Sequence, residues 1–211
     1  MNHIKTNFRD YVKRAGKTTD CAEETLKKAF HNLDSDVLDI PWKEIERALA
    51  SIDVSARQRL DLESVRNLPI DIRRQILLNS SPALSGACLL SCILADGKVS
   101  IAHAGDCRAV LCTKSSQFAL TDDHQPSNPK EMSRLEAEHP DEPTVAYRPH
   151  KQSPIRVLGG MMPSRAFGDA RYKWNLQQQD TFDALADGIQ LEPSWRRPKH
   201  FYTPPCILKL T

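Results

Sequence analysis

Short apolar runs alternate with turn residues in the middle of the chain, and this pattern predicts β-structure. The predicted strands are Leu89–Leu94, Val99–Ala104, Cys107–Cys112 and Phe118–Thr121. Asp96-Gly97 lies between the first two runs and is typical of a two-residue hairpin turn. Gly105-Asp106 breaks the chain before the third run. The pattern therefore predicts an antiparallel meander of four strands.

Helical spacing dominates the chain before the meander. Asp20 followed by Glu23 predicts a capped helix start, and the apolar residues after it recur on one helical face at Leu26, Ala29, Phe30 and Leu33. A second helix is predicted from Trp42 to Ile52, and short helices over residues 53–82, where Pro69 interrupts any longer one. Residues 1–82 are thus expected to be mostly helical.

One more helix is predicted after the meander. Asn128 can cap it, Pro129 suits its first turn, and Glu131 can reach back to the cap. The helix should end near Glu138, and a loop should follow over residues 140–154. From position 176 to 211 there is little periodicity, apart from a short strand-like run at 206–208.

The first seventeen residues allow two interpretations. Five basic residues stand against a single acid, Asp10, and the apolar residues Ile4, Phe8, Tyr11 and Val12 share one helical face. That pattern is typical of a mitochondrial transit peptide, and equally of an amphipathic helix packed on a core. The acid and the lack of serine favour the packed helix.

Composition excludes several classes of function. The 29 basic and 27 acidic residues nearly cancel to a net charge of +2, which gives no reason to expect attraction to nucleic acid. No apolar run approaches the roughly 20 residues of a membrane span. Six cysteines lack zinc-site spacing, and Cys88, Cys92, Cys107 and Cys112 lie in strand-like runs. We expect these four to be buried thiols.

Two glycine-aspartate turns carry the candidate chemistry. Gly105-Asp106 is followed by Arg108, and the stretch Arg156–Asp169 ends in Arg165, Gly168 and Asp169. Glycine permits a sharp turn, so that the aspartate can face a cation or cap neighbouring amides. Arg165 and Asp169 are close enough along the chain to form an ion pair that would fix the second turn.

A cluster of polar residues precedes the helix at Pro129. Asp122-Asp123-His124 has the composition of a proton-transfer site. Acidic residues also favour the positive end of a helix, which makes a structural role the better interpretation.

In this order, these motifs resemble the middle third of the metal-dependent (type 2C, PPM) Ser/Thr protein phosphatases. The stretch Arg156–Asp169 meets the family pattern Arg-Leu/Val-x-Gly-x-Leu-x-x-Ser-Arg-Ala-Leu/Phe-Gly-Asp except at the leucine, where methionine stands. Cys107 replaces the serine of the family's Gly-Asp-Ser-Arg. Four short stretches look like the pyruvate dehydrogenase phosphatase branch: Ala137–Pro140, Met162-Pro163, Tyr172–Trp174 and Tyr202–Pro205.

The resemblance implies a fold, a reaction and partners. The fold would be α+β, an incomplete α/β/β/α sandwich with antiparallel sheets, formed by one partial domain over residues 1–211. The family hydrolyses phosphoserine and phosphothreonine with a water held by two magnesium or manganese ions. The branch implies a phosphoprotein substrate, the E1 component of the pyruvate dehydrogenase complex, and a mitochondrial matrix location.

The family's metal ligands are not in this sequence. They come from Asp-Gly-His-Gly, Asp-Gly-x-x-Asp and a late Asp-Asn pair, none of which occurs here, and the family's phosphate-binding arginine is also missing. Asp106 matches a position that relatives associate with an additional, weaker metal. One carboxylate cannot hold a hard divalent ion tightly. We therefore predict no catalytic residue in this chain, and a structural role for Gly105, Arg108, Arg165, Gly168 and Asp169.

Three interpretations remain open. The favoured one is a fragment or truncated form of a phosphatase, since the match begins inside the family's domain and stops before its last motifs. The second is a catalytically dead module that keeps the scaffold to bind a partner. The third is an unrelated α/β domain.

Overall fold

The computed structural model describes residues 2–52 and 61–198 of the chain. Six helices come first: α1 (Asn2–Ala15), α2 (Ala22–Leu38), α3 (Ile40–Ile52), α4 (Leu62–Arg66), α5 (Ile70–Asn79) and α6 (Ser81–Leu84). Five strands follow: β1 (Gly86–Ala87), β2 (Leu89–Ala95), β3 (Lys98–Ala104), β4 (Val110–Cys112) and β5 (Gln117–Ala119). The remainder is α7 (Pro129–Glu138), β6 (Ala146–Tyr147), β7 (Arg156–Val157), β8 (Phe167–Gly168) and α8 (Leu176–Leu185). This is the α+β class that the sequence predicted.

The first helix packs against the core. Ile4 is buried, and the ring of Phe8 meets that of Phe30 edge to face at 5.4 Å. Tyr11 packs against the same core and donates a hydrogen bond to Asp36 at 2.5 Å. These contacts are those of the packed amphipathic helix. In the described part of the chain, no helix is both long and apolar enough to span a bilayer.

The predicted positions of α2 and α3 are correct to within two residues, but the predicted cap of α2 is wrong. The N-cap of α2 is Cys21 rather than Asp20, and no side chain caps it. α3 begins at Ile40, so that Pro41 lies in its first turn rather than before it. The short helices expected around Pro69 are α4 to α6, while residues 53–60 of that prediction lie outside the described residues.

The hairpin is present as predicted. β2 and β3 form a continuous antiparallel ladder from Leu89 opposite Ala104 to Ala95 opposite Lys98. Asp96 and Gly97 both have positive φ, 51° and 73°, which matches the right-handed twist of the two strands.

The meander does not continue past this hairpin. β3 pairs only with β2, and the strand pairs of the described residues are separate two-stranded antiparallel sheets. The third strand begins at Val110 rather than Cys107, because the backbone of Ala109 bonds across the turn to Thr121 and Leu120. The turn that follows Ala104 therefore ends one hairpin and starts another.

Two helices follow the hairpins. Asn128 caps α7 by accepting a hydrogen bond from the backbone N–H of Lys130, as predicted. α8 was missed, although Asn175 and Gln178 form a capping box at its start. It buries polar as well as apolar side chains, which blurs the periodicity that the sequence would otherwise show. The strand expected at 206–208 lies outside the described residues.

One core joins the N-terminal helices to the second glycine-aspartate motif. The ring of Phe30 in α2 lies 5.2 Å from that of Phe167 in β8. The ring of Trp174 lies 4.9 Å from that of Trp42 of α3 and 5.2 Å from that of Phe182 of α8, in tilted arrangements. A second cluster under α7 contains Leu135, Val145, Val157, Leu158 and Ala166.

The prediction of buried thiols was wrong. Cys88, Cys92 and Cys112 are exposed, and Cys107 is half-buried. Cys92 and Cys112 lie on short two-stranded ribbons whose surfaces are only partly covered, and Cys88 and Cys107 lie outside the strands.

Gly168 is the position where the fold most requires glycine. Its φ is +67°, and a Cβ there would overlap the carbonyl oxygen of Ser85. Gly97 has a similar φ of +73°, but a Cβ there would meet no other atom. Gly97→Ala therefore measures the cost of the backbone strain alone. Gly97→Ala should lower the free energy of unfolding by about 1 kcal/mol. Gly168→Ala should lower it by roughly 3 kcal/mol or more, since backbone must also move. Equal losses in urea unfolding would contradict this difference.

Candidate functional site

The first glycine-aspartate turn follows directly from the end of β3. Gly105 has φ +97°, and a Cβ on it would overlap the sulfur of Cys88. Glycine is therefore needed for the turn and for the close approach of that side chain. Asp106 is exposed, and its Oδ1 accepts a hydrogen bond from the Cys88 thiol at 3.5 Å.

Arg108 ties this turn to the loop before α7. Its guanidinium donates two hydrogen bonds to Asp123, at 3.1 Å to Oδ1 and 2.7 Å to Oδ2. The carboxylate of Asp123 raises the pKa of Arg108 by hydrogen bonding and by its charge. In the same loop the N–H of His124 donates to the carbonyl of Gly105 at 3.1 Å. Arg108 and Gly105 thus hold the two loops together.

The side chains of the acid–histidine cluster make contacts with neighbouring parts of this region. Asp122 pairs with Lys130 at 3.0 Å, and Asp123 is engaged by Arg108. His124 stacks on His103 with ring centroids 4.0 Å apart. Burial, with the nearby charge of His103 and Arg165, lowers the pKa of His124 to about 4, so its ring is neutral near pH 7.

Arg165 binds Glu131, not Asp169 as the sequence predicted. Its guanidinium reaches Oε1 of Glu131 at 2.5 Å, and the carboxylate also accepts from Ser164 at 2.6 Å and Arg134 at 3.0 Å. Glu131 is 4% exposed, which leaves no solvent to compete. The predicted role of Glu131 as a helix cap is therefore also wrong: its side chain is committed to the two arginines.

These contacts control the ionisation of Glu131. Burial by itself would raise its pKa, but hydrogen bonds from Arg165, Ser164 and Arg134 outweigh burial and lower the pKa to about 2. α7 is thereby bonded to the segment just before β8. The sequence predicted a capping role for Glu131 and a pair of Arg165 with Asp169, so it did not anticipate this contact.

Asp169 lies near Asp34 and Lys173. It is buried with φ +46°, and its Oδ2 has no hydrogen-bond partner. The charged contacts near it belong to Asp34 of α2, which accepts from Lys173 at 2.7 Å and from the N–H of Gly168 at 2.9 Å. Burial raises the pKa of Asp169 to about 6; Lys173 opposes that shift and Asp34 adds to it.

Asp34 and Lys173 were missed by sequence reasoning. The available signal was an acid on the otherwise apolar face of α2, next to Leu33 and one turn after Phe30. A second signal was a lysine just after the glycine-aspartate motif. Neither position identifies the other, because they are far apart in sequence.

The described residues do not fit a dinuclear metal centre. Over 2–52 and 61–198 there is no group of three or more His, Cys, Asp or Glu side chains that could hold a metal ion. Glu131 and Asp34 are engaged by basic side chains, and Asp106 stands at the surface with a thiol beside it. A hard divalent ion needs several oxygen donors at one point, and this arrangement does not bring them together.

A cleft of about 720 Å³ lies between α2 and β3, and Arg165, His103 and His124 line it. Two of its basic side chains have acidic partners: Lys28 pairs with Glu24 at 3.6 Å, and Arg165 with Glu131. Lys27 and Glu23 add one further charge of each sign to the lining.

Glu131→Gln should destabilise the protein because it leaves two arginines facing a neutral, buried amide. We expect a loss of about 3 kcal/mol in the free energy of unfolding. Glu136→Gln alters an exposed residue of the same helix and should change the free energy of unfolding by less than about 0.5 kcal/mol.

The effect of Glu131→Gln should depend on pH in one direction. The folded-state pKa lies below the ordinary 4.5, so the stabilisation is complete above that pH. It is lost as pH falls from 4.5 towards 2, and the difference between wild type and variant should shrink there. Urea titrations at several pH values between 4.5 and 2 measure this. If the difference in unfolding free energy between wild type and variant stayed constant over this range, the ion pairs of Glu131 with the arginines would not be its cause.

Asp169→Asn should stabilise the protein, whereas Glu131→Gln should destabilise it. A raised folded-state pKa means that ionisation destabilises the fold as pH rises from about 4 to about 6. Asparagine tolerates positive φ and cannot ionise. The variant should gain roughly 1 to 3 kcal/mol over wild type at pH 8 and much less at pH 4. Thermal or urea unfolding at both pH values measures this, and a loss of stability at pH 8 would contradict it.

Comparison with known proteins agrees with the motifs. Residues 13–196 match the family described as Protein phosphatase 2C. The mitochondrial [pyruvate dehydrogenase [acetyl-transferring]]-phosphatase 2 of Homo sapiens is 29% identical over 98% of this chain and 35% of its own length. The mitochondrial phosphatase 1 of that name from Saccharomyces cerevisiae is 30% identical over 86% of this chain and 30% of its own length.

A third relative is a protein phosphatase 2C homolog of Schizosaccharomyces pombe, 41% identical over 63% of this chain and 30% of its length. The chain thus spans about a third of the length of the curated relatives it matches. The resemblance predicted from the motifs is confirmed, and the unrelated α/β domain is excluded. Since the family match covers most of its residues, the chain belongs to the protein phosphatase 2C family.

Proposed function

We propose that this chain supplies a scaffold portion of a magnesium- or manganese-dependent protein Ser/Thr phosphatase and that the 211 residues alone do not hydrolyse phosphoesters. The observation that supports the proposal is the set of contacts that the carboxylates make. Glu131 and Asp34 are buried against basic side chains, and Asp106 is isolated at the surface. The reaction of the family needs carboxylates that converge on two cations.

The proposed role of the family motif is to hold loops and helices in fixed positions. Arg108 bonds the first turn to the loop of Asp123, and Arg165 bonds the second motif to α7. Gly168 donates from its backbone to α2, close to Asp169. Bound magnesium or manganese would activate a water and offset phosphoryl charge, but no residue described here is in position to share that work.

Asp106 is proposed as a weak ligand of an additional cation. It is exposed and has one neighbouring side-chain donor, the thiol of Cys88. A single carboxylate supports low affinity only.

The proposed substrate is a phosphoserine of a protein, in particular the E1 component of the pyruvate dehydrogenase complex, in the mitochondrial matrix. Support comes from relatives from human and yeast that carry the names of mitochondrial pyruvate dehydrogenase phosphatases. We also propose that residues 1–211 act as one partial domain, with a division near residue 82. The shared core of Phe30, Phe167 and Trp174 supports a single folding unit.

An activity assay tests the proposal. Purified chain should show no manganese-dependent turnover of p-nitrophenyl phosphate or of a phosphoserine peptide above the rate in buffer. Calorimetric titration should show no tight binding of two manganese ions, and any weak heat should disappear in Asp106→Asn. Glu136→Gln is the matched control and should keep that weak signal. Chelator-sensitive turnover by the chain alone would sink the proposal.

The second candidate is a catalytically dead module that binds a protein partner. The observation that favours it is the exposed apolar surface of the hairpins: Leu94 is 74% exposed and Phe118 52%. A two-stranded ribbon such as β4–β5, with every residue exposed, is marginal by itself. Transcripts that read through to the family's missing metal motifs would favour the phosphatase, whereas transcripts without them would favour the module.

A further inference from the structure

Two cysteines flank the exposed carboxylate of Asp106. Cys88 precedes β2, and Cys107 lies on the far side of the Gly105-Asp106 turn. The thiol of Cys88 donates to Asp106 at 3.5 Å, and Cys107 is the residue that follows Asp106 in the chain. The sequence places them nineteen positions apart, so their proximity is a product of the fold.

The hairpin explains the contact. The β2–β3 ladder ends with Leu89 opposite Ala104, so the next residues outward, Cys88 and Gly105, lie side by side. A Cβ on Gly105 would lie 3.3 Å from the Cα of Cys88, which shows how closely the two backbones approach. Cys107 lies only two residues after Gly105, so the turn keeps it close to Cys88.

We propose that Cys88 and Cys107 are a dithiol that forms a reversible disulfide across the Gly105-Asp106 turn, with a low-molecular-weight disulfide such as glutathione disulfide as the oxidant. The thiolate of one cysteine attacks a sulfur of glutathione disulfide and releases one glutathione. The second cysteine then attacks the mixed disulfide and releases the other. Two protein S–H bonds are lost, one protein S–S bond forms, and both protons leave on two glutathione thiols.

Access and ionisation set the rate of this exchange. Cys88 is exposed, so the oxidant can reach the pair. The thiolate is the attacking form, so the reaction should be slow at pH 7 and faster at pH 9.

The disulfide would change the surroundings of Asp106. The Cys88 thiol could no longer donate to that carboxylate, and the ends of the β2–β3 hairpin would be joined covalently. This inference concerns the thiols only and does not depend on whether the chain has phosphatase activity.

Peptide mapping tests the proposal. The folded 211-residue chain is incubated with glutathione disulfide at pH 9, free thiols are alkylated, and tryptic peptides are identified by mass. Trypsin cuts after Lys98 and Arg108, so that Cys107 lies on one peptide and Cys88 with Cys92 on another. We expect these two peptides to be linked, with the loss of two hydrogens and release by dithiothreitol.

Two variants assign the link. Cys92→Ser is the matched control, because it removes the neighbouring exposed thiol, and the link should persist unchanged. Cys88→Ser should abolish the link and leave a glutathione adduct on Cys107 that cannot resolve. A link that survives Cys88→Ser, or glutathione adducts without any link in the wild type, would overturn the proposal.

Unfolded wild-type protein is a further control, because it tests the role of the fold without any substitution. In urea the contact made by the turn is lost, and the 88–107 link should become one of several disulfides. Equal selectivity with and without urea would also overturn the proposal, since the folded geometry would then play no part.

Discussion

The buried contact of Asp34 with Lys173 and Gly168 is the interaction on which the rest of the structure depends. Asp34 belongs to α2, whereas Gly168 belongs to the second glycine-aspartate motif and Lys173 lies just after it. Lys173 also donates to the carbonyl of Ala166 at 2.5 Å, so one side chain bridges a helix and a loop. A buried ion pair is strongly destabilising when only one partner is lost. The N-terminal helices and the motif are therefore fixed to each other.

A second buried cluster fixes the opposite side of the motif. Glu131 of α7 accepts from Arg165, Arg134 and Ser164 within hydrogen-bond distance. With Asp34 on one side and Glu131 on the other, the segment between residues 164 and 173 is held at both ends. The carboxylates of Asp34 and Glu131 are thus both engaged by basic side chains, one on each side of the motif.

Asp169 shows the cost of this arrangement. It adds a second carboxyl group beside Asp34, with Lys173 as the nearby cation, and its Oδ2 finds no hydrogen-bond partner. A buried carboxyl in this position is favoured in its neutral form. The left-handed backbone at Asp169 is retained because Gly168, in front of it, turns the chain tightly against Ser85.

Much of the local structure could be predicted because it depends on residues close in sequence. The hairpin turn at Asp96-Gly97 and the Asn128 cap follow from backbone preferences that a few residues set. α8 was missed because its buried side chains include the polar residues Gln179 and Thr181, which interrupt the apolar pattern. The family motif could be recognised for the same reason as the hairpin, because Arg156–Asp169 is a continuous stretch of the sequence.

Pairings between distant residues were decided by the tertiary structure. Sequence proximity favoured Arg165 with Asp169, yet the packing of α7 places Glu131 closer and fully out of water. The exposure of the thiols was likewise decided by sheets of two strands, since an apolar run is buried only when other layers cover it. The sequence by itself determined most of the helices, the β2–β3 hairpin and the family, because these are local patterns. Only the folded chain determined which charge meets which, because a buried ion pair requires partners that converge from separate elements.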